Sequence, residues 1–171
     1  YNKLVKVIKM NRKIFIIAII ALLIDQISKI LIGLYFNLNK SIVIIKNFFS
    51  ITLVHKTGAA WSILQNKNIF ILIFSIVALI IIYRFMFLFK TNKRNNFAFG
   101  LLVGGIFGNL LDRIIYGYVR DFFDFTIFSY DYPVLNIADI FIVIGVILLI
   151  IAIIKGEDSS ANSSRRRKHT N

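Results

Sequence analysis

The sequence predicts an all-α membrane protein, a four-transmembrane-helix bundle with a small β-sheet on the outer membrane surface. The mean hydropathy of +0.77 and the hydrophobic fraction of 58% are too high for a soluble domain of 171 residues. Four apolar runs are each close to the ~20 residues that a helix needs to cross a bilayer. These runs cover residues 14–36, 69–89, 97–116 and 134–154.

Basic residues border these runs on one side of the predicted membrane. They precede the first run, fill the link between the second and third runs, and follow the fourth: Lys3, Lys6, Lys9, Arg12, Lys13; Lys90, Lys93, Arg94; Lys155 and residues 165–168. By the positive-inside rule these borders are cytoplasmic, and the loops 37–68 and 117–133 face outward. Four lysines in the first loop weaken this bias without reversing it. We therefore attribute the net charge of +13 to membrane orientation and expect no nucleic-acid partner.

The chain divides into three predicted parts. Residues 1–9 form a basic N-terminal extension, residues 10–155 form the four-helix domain, and residues 156–171 form a basic, disordered cytoplasmic tail. The first apolar run is interpreted as a retained helix rather than a cleaved signal peptide, because it is long and contains Asp25 and Lys29. Met10 would make a compact natural start.

Two segments predict local packing. Residues 41–53 are rich in Ile, Val, Phe and Thr with partial alternation, which favours short strands. Gly100, Gly104 and Gly108 recur at four-residue spacing in the third helix. Small residues at this spacing let helix backbones approach closely in lipid, and packing alone would explain them.

Composition excludes several kinds of chemistry. Cysteine is absent, which removes thiol catalysis, iron–sulfur clusters, zinc–thiolate sites and disulfides. The two histidines, His55 and His169, rule out a His-Glu-x-x-His zinc site and leave only His55 for a Ser-His-Asp triad. A dyad of Ser28 and Lys29 fails because adjacent helical residues point in different directions. We expect neither a metal nor a cofactor.

Carboxylates are the strongest chemical signal that remains. Only eight residues are acidic, yet Asp25, Asp112, Asp121 and Asp139 lie in or at the ends of apolar runs, where an ionisable group is costly and is interpreted by default as functional. Asp121 is predicted in a loop with interfacial aromatic residues, and Asp139 in the first turn of the fourth helix. Two carboxylates at one outer border suggest an aspartic hydrolase acting on a membrane-bound substrate.

Each polar residue also has an ordinary structural explanation. Asp25 and Lys29, four residues apart, can form an ion pair on one helix face. Asp112 and Arg113 can form an ion pair at a helix end. Asp139 in a first turn gains from the helix dipole.

Two asparagines add polar groups to the same region. Asn136 either shares a face with Asp139 or caps the fourth helix. Asn109 is harder to explain structurally, since its amide lies close to the glycine ribbon and shares a predicted helix face with Asp112 and Arg113.

Five motifs together resemble the lipoprotein signal peptidases, the type II bacterial signal peptidases. They occur in order over roughly residues 10–155: Asp25-Gln-Ile-Ser-Lys29, Gly58-Ala-Ala-Trp61, Gly104-Gly-Ile-Phe-Gly-Asn-Leu-Leu-Asp-Arg113, Val119-Arg-Asp121-Phe and Asn136-Ile-Ala-Asp139. The resemblance implies a multi-pass aspartic endopeptidase of the bacterial cell membrane. Its partners would be membrane lipids and prolipoproteins, cut just before a diacylglyceryl-modified cysteine, and it would act as a monomer with its site at the outer face.

The resemblance also implies residue roles. Asp121 and Asp139 match the catalytic pair. Residues that match positions lining or supporting the site are Asn109, Arg113, Asn136, Asp25, Lys29, Asp112 and Gly58. The family usually has Asn two residues before the glycine of Gly-Ala-Ala, and this chain has Lys56. A long cation there is expected to extend toward water or interfacial phosphates rather than into the site.

Two other functions fit parts of the sequence. A small transporter or channel subunit could use intramembrane acids to carry protons or cations, but this would be favoured by inverted repeats and broken helices, which are not evident. A structural assembly subunit would explain the glycine ribbon but not the acids.

Overall fold

The computed structural model contains four long helices and a four-stranded antiparallel sheet. It describes residues 2–58 and 68–158, with side chains from residue 12 onward. The elements follow one another as α1 Asn2–Tyr35, β1 Ser41–Ile45, β2 Phe49–Lys56, α2 Asn68–Met86, α3 Lys93–Tyr116, β3 Val119–Ile127, β4 Tyr130–Asp131 and α4 Ile137–Ile154. Each helix contains a span long and apolar enough to cross a membrane. The predicted four-helix membrane fold with a small sheet is confirmed.

Helix α3 is the centre of the bundle, and glycines set its distance from two neighbours. A Cβ added to Gly104 would lie 2.6 Å from the carbonyl oxygen of Ala18 in α1, and one added to Gly105 would lie 2.6 Å from that of Ala138 in α4. Neither position has room for a side chain, so the backbones of α1 and α4 approach α3 closely on its two sides. The predicted packing role of the glycine ribbon is confirmed.

The distribution of polarity is that of a protein surrounded by lipid. Large apolar side chains such as Phe74 in α2 and Ile147 in α4 are exposed on the outer surfaces of the helices. Three charged side chains in the described spans are completely buried: Asp25, Lys29 and Asp112. Charges therefore face the interior of the bundle, where they can be paired.

The sheet has the strand order β1-β2-β3-β4, with antiparallel neighbours throughout. The strands predicted within residues 41–53 are confirmed as β1 and most of β2. The prediction of a loop around Asp121 is wrong, because this segment is strand β3 and pairs with β2. The aromatic side chains that were predicted in an interfacial loop pack across the strands. For example, Phe49 of β2 stacks on Phe125 of β3 with ring centroids 4.9 Å apart.

The start of the predicted tail contacts the bundle end opposite the sheet. Oε2 of Glu157 accepts hydrogen bonds from Asn92, Arg94 and Asn95. This contact ties the chain beyond α4 to the start of α3. The rest of the tail, residues 159–171, and the side chains of the extension 1–9 lie outside the described residues, although helix α1 begins at Asn2.

Candidate active site

The turn between α3 and β3 places Asp121 in strand β3, shortly after the end of α3. Gly117 ends α3 in a left-handed conformation (φ 78°), and its N–H donates to the carbonyl of Arg113 at 3.1 Å. Glycine adopts this conformation without the steric cost of a Cβ, so the helix can stop and turn within two residues. Asp121 follows four residues later and is only 1% exposed.

The start of α4 fixes the orientation of Asp139. Oδ1 of Asn136 accepts the backbone N–H of Asp139 at 3.0 Å, and Oδ2 of Asp139 accepts the backbone N–H of Asn136 at 3.2 Å. This reciprocal capping box satisfies two amide donors at the helix start. Asn136 is thus the cap, and its amide nitrogen remains free to bind a further acceptor.

Asp121 and Asp139 are joined through Asn136. Backbone hydrogen bonds between Phe123 and Leu135, at 2.8 and 2.9 Å, hold β3 beside the segment that leads into α4. Nδ2 of Asn136 then donates to Oδ1 of Asp121 at 2.6 Å. Both carboxylates therefore contact one fully buried residue.

The two carboxylates line a cavity of about 250 Å³ whose lining is partly polar and partly apolar. The polar side chains are Lys56, Asn109, Arg113, Asp121 and Asp139, and the apolar ones are Val119, Leu135, Ile142 and Val143. Such a cavity can hold a peptide group against the acids beside an apolar chain. A larger, apolar cavity of about 480 Å³ lies between α1, α2 and α3, but its lining contains no carboxylate.

The environment of Asp121 favours proton sharing. Burial raises the pKa of its carboxyl group to about 6, with Lys56 opposing the rise and the charge of Asp139 adding to it. Two neighbouring carboxylates in a buried site cannot both ionise cheaply. A carboxyl group with a pKa of about 6 can exchange a proton near neutral pH, as acid–base chemistry on an amide requires.

The predicted pair of Asp25 and Lys29 is present and extends to the cavity. Nζ of Lys29 lies 2.8 Å from Oδ2 of Asp25 and donates to Oδ1 of Asn109 at 3.0 Å. Asn109 in turn donates from Nδ2 to Oδ1 of Asp139 at 2.8 Å. Asn136 also donates to Oδ1 of Asn109, at 2.9 Å. The polar residues predicted on α1, α3 and α4 thus form one connected network.

The expected helix-end ion pair between Asp112 and Arg113 is wrong. Asp112 binds Arg120 at 2.7 Å and lies 3.5 Å from Nζ of Lys29, whereas Arg113 turns into the cavity. Asn109 and Arg113 therefore share the cavity side of α3, and Asp112 faces α1 and β3. Arg120 takes the place of Arg113 as the partner of Asp112 because it reaches back over the end of α3.

Arg120 and Gln26 are polar contributors that the sequence analysis missed. Gln26 donates to Asp112 at 3.1 Å and accepts from Arg120 at 3.0 Å. Both residues lie beside a predicted site residue, Asp25 or Asp121, and this adjacency is the signal that could have found them. Their contacts close the buried network around Asp112 on its α1 side.

Lys56 lies in the site, so the expectation that it extends away from the carboxylates is wrong. Its Nζ forms an ion pair with Oδ2 of Asp121 and donates to the carbonyl of Val134 at 2.5 Å. Strand β2 directs the side chain there, because Val54 is opposite Asp121 and Lys56 is on the same face two residues later. His55, between them, faces the other side of the sheet and stacks on Tyr118, so the structure does not bring it to the carboxylates.

Gly58 also lines the cavity. It follows β2 directly, so a small residue stands next to Lys56 and the two acids. The remainder of the Gly-Ala-Ala-Trp element, Ala59 to Trp61, lies outside the described residues.

Comparison with known proteins gives a consistent result. The family model described as signal peptidase (SPase) II matches residues 17–155. A lipoprotein signal peptidase of Staphylococcus haemolyticus (strain JCSC1435) is 43% identical over 147 residues, which is 84% of this chain and 92% of that protein. One from Staphylococcus aureus (strain JH9) is 41% identical over 152 residues, covering 85% and 93%.

Solved structures agree with the sequence relatives. A bacterial membrane enzyme determined by the in meso method at 2.3 Å resolution superposes with a TM-score of 0.74 at 40% identity, covering 83% of this chain and 87% of that one. A second, at 1.9 Å resolution, gives 0.72 at 40% identity, covering 83% and 92%. With the family model spanning all four helices and both carboxylates, the chain belongs to the signal peptidase II family, the lipoprotein signal peptidases.

Proposed function

We propose that this protein is an aspartic endopeptidase that cuts prolipoproteins just before the diacylglyceryl-modified cysteine. Asp121 and Asp139 are the proposed catalytic pair. The observation that carries the proposal is their shared contact with Asn136 in the lining of one cavity. The substrate class is supported by the relatives, which are lipoprotein signal peptidases.

The proposed chemistry needs one proton on the pair. The ionised carboxylate removes a proton from water as its oxygen attacks the scissile carbonyl carbon. The protonated carboxyl donates to the carbonyl oxygen, and the pair then supplies a proton to the leaving amine. This division of roles is available because two close carboxylates hold one proton between them.

The remaining polar residues are proposed to orient the pair. Asn109 and Asn136 each hold a carboxylate by a direct amide hydrogen bond. Asp25, Lys29 and Asp112 support them from the buried network. Residues held by packing and second hydrogen bonds keep a catalytic geometry more strictly than residues on loops.

Arg113 and Gly58 contribute in other ways. Arg113 brings a positive charge to the cavity wall, close to both carboxylates, and Gly58 leaves space beside them. A glycine at this position would let the extended substrate backbone come close to the acids.

The substrate's lipid is proposed to lie on the apolar side of the cavity. Ile142 and Val143 form that side on α4, and Val143 is 56% exposed on the outer surface of the bundle. An acyl chain could therefore reach the cavity from the surrounding membrane lipids without crossing water. Both carboxylates come from one chain, so a monomer is the proposed working unit.

The proposed location is the bacterial cytoplasmic membrane, with both termini in the cytoplasm and the site at the outer face. The sheet and the acid pair lie at one end of the bundle, and Lys93, Arg94 and Lys155 lie at the other. The positive-inside rule assigns the basic end to the cytoplasm. The site would then meet prolipoproteins after their export.

The test is cleavage of a purified prolipoprotein in detergent, with and without the diacylglyceryl group. The matched control is the same prolipoprotein with its acceptor cysteine replaced by serine, which cannot be lipidated. We expect one cut in the lipidated substrate, giving a product whose mass corresponds to an N-terminal lipidated cysteine. Equal cutting of both substrates, or a cut elsewhere, would contradict the proposal.

A further inference from the structure

Lys56 occupies a defined position on the sheet rather than a flexible loop. It is the last residue of β2 and stands opposite Val119 in β3, while Val54 stands opposite Asp121. Residues two apart on paired strands share a face and are within reach of a long side chain on the diagonal. The register alone therefore aims the Lys56 ammonium group at the Asp121 carboxylate.

The contacts of the two acids differ. Asp121 receives a cation on Oδ2, from Lys56, and an amide N–H on Oδ1, from Asn136. Asp139 receives only neutral N–H donors among the described residues, from the Asn109 amide and the Asn136 backbone. Donors with a full positive charge favour an ionised carboxylate much more than neutral donors do.

The second contact of Lys56 fixes the ammonium group in place. It donates to the carbonyl of Val134, two residues before Asn136, so it spans the gap between β3 and the segment that leads into α4. The side chain of Lys56 is 21% exposed and that of Asp121 is 1% exposed, so the pair joins a partly exposed cation to a buried carboxylate. A pair in this position is screened less by solvent than a surface ion pair.

Other charged groups face Asp121 from the remaining elements. Arg113 reaches the same cavity from α3, and Asp139 faces it from α4. The charge of Arg113 acts on both carboxylates. Among the described residues, Lys56 is the cation in contact with one of them alone.

We propose that Lys56 is a positioning residue that favours the ionised form of Asp121, so that Asp121 is the general base of the pair and Asp139 the general acid. This inference rests on the proposed aspartic function and assigns its two roles. Burial opposes ionisation of Asp121, and the ammonium group of Lys56 offsets part of that effect.

The assignment balances every proton in the reaction. Asp121 takes a proton from water as the water oxygen bonds to the scissile carbonyl carbon, and Asp139 gives its proton to the carbonyl oxygen. When the C–N bond breaks, the proton on Asp121 passes to the departing nitrogen. A hydroxyl proton of the intermediate returns to Asp139, which restores the starting state.

The first test is the pH profile of kcat/KM for cleavage of a lipidated prolipoprotein. In Lys56→Met the acid limb should move upward by about 1 to 3 pH units, because Asp121 loses the opposite charge that favours its ionised form. Cleavage below neutral pH should then fall by about 10-fold or more, while cleavage at high pH stays near that of wild type. Lys56→Arg, which keeps the charge, should keep the wild-type profile.

Lys46→Met is the matched control, because Lys46 is an exposed lysine in the turn between β1 and β2. Its profile should be unchanged. An unmoved acid limb in folded Lys56→Met overturns the inference. The proposed function would survive that result as long as Asp121→Asn and Asp139→Asn are inactive, and it would fail if either variant turned over normally.

A second measurement needs no Lys56 variant. Infrared difference spectra are recorded between wild type and Asp121→Asn, both labelled with ¹³C-aspartate. They show whether the Asp121 carboxyl group, which the variant lacks, is protonated or ionised in wild type. At about pH 7 we expect the difference to contain a carboxylate band, since this lies above the pKa of about 6. A protonated carboxyl band at that pH would overturn the inference.

Discussion

Nζ of Lys29 donates a hydrogen bond to Oδ1 of Asn109 at 3.0 Å, and this bond connects a buried ion pair to the candidate active site. The same Asn109 binds Asp139 through its amide nitrogen. Asp25, the partner of Lys29, accepts the backbone N–H of Ala138 at 3.0 Å, in the first turn of α4. Lys29 and Asp25, the charged pair inside α1, therefore contact two groups that orient Asp139. These groups are the Asn109 amide and the first turn of α4.

Removal of the Lys29 charge should destabilise the protein. We expect Lys29→Met to lower the free energy of unfolding by about 3 to 5 kcal/mol, because it leaves the buried carboxylate of Asp25 without its counter-charge. Thermal unfolding in detergent measures this effect. The double variant Asp25→Asn/Lys29→Met removes both charges and should recover part of the loss. A single variant as stable as wild type but inactive would show that Lys29 serves the chemistry directly.

Close packing of α3 should be sensitive to a single methyl group. In Gly104→Ala the new Cβ would fall 2.6 Å from the Ala18 carbonyl and 2.7 Å from the Ala21 Cβ, so α1 must move away. We expect a loss of about 1 to 3 kcal/mol in the free energy of unfolding. Gly33→Ala in α1 is the matched control, since nothing lies within 4 Å of its Cβ position. Equal melting temperatures for the two variants would contradict this account of the packing.

Stability should depend on the protonation of Asp121. Burial raises the pKa of this carboxyl to about 6 from a reference of 3.8, so the folded protein binds a proton more tightly than the unfolded chain. Stability is therefore expected to fall as the pH rises from about 4 to about 6 and then to level off. The comparison is the melting temperature across this range for wild type and for Asp121→Asn, in which this contribution is absent. Parallel curves for the two proteins would rule out Asp121 as the titrating group.

The proposed orientation can be measured with single cysteines, since the chain has none of its own. Cysteine at Ser129, exposed between β3 and β4, should react with an impermeant thiol reagent on intact cells. Cysteine at Lys93, exposed at the start of α3, should react only after the cells are permeabilised. Labelling of a cysteine that replaces Lys93 in sealed cells would contradict the proposed orientation.

The fold was largely predictable because lipid imposes a simple length rule. The four apolar runs correspond to the four helices, although several boundaries differ. The start of α4 differs for a local reason: the helix begins at Ile137 because Asn136 caps it. Strand β3 was not predicted, because the strand that stabilises it, β2, is separated from it in sequence by two helices. Its aromatic residues suit an interface or a sheet equally well.

The candidate site was predictable in its acids and less so in their partners. Asp121 and Asp139 stood out because few carboxylates occur in this chain and the motifs around them are specific. The direction of Lys56 could not be predicted, because it depends on the register between β2 and β3. The contact of Asp112 with Arg120 likewise depends on the turn at Gly117.

The most direct test of the central claim is the cleavage rate of Asp121→Asn and Asp139→Asn on a lipidated prolipoprotein. Each change keeps the size of the side chain but removes its ability to exchange a proton. We expect each rate to fall by about 10² to 10⁴-fold, with folding and membrane insertion retained. Asp131→Asn, an exposed aspartate on β4, is the matched control and should cleave at the wild-type rate. Normal turnover by either Asp121→Asn or Asp139→Asn would contradict an aspartic mechanism built on this pair.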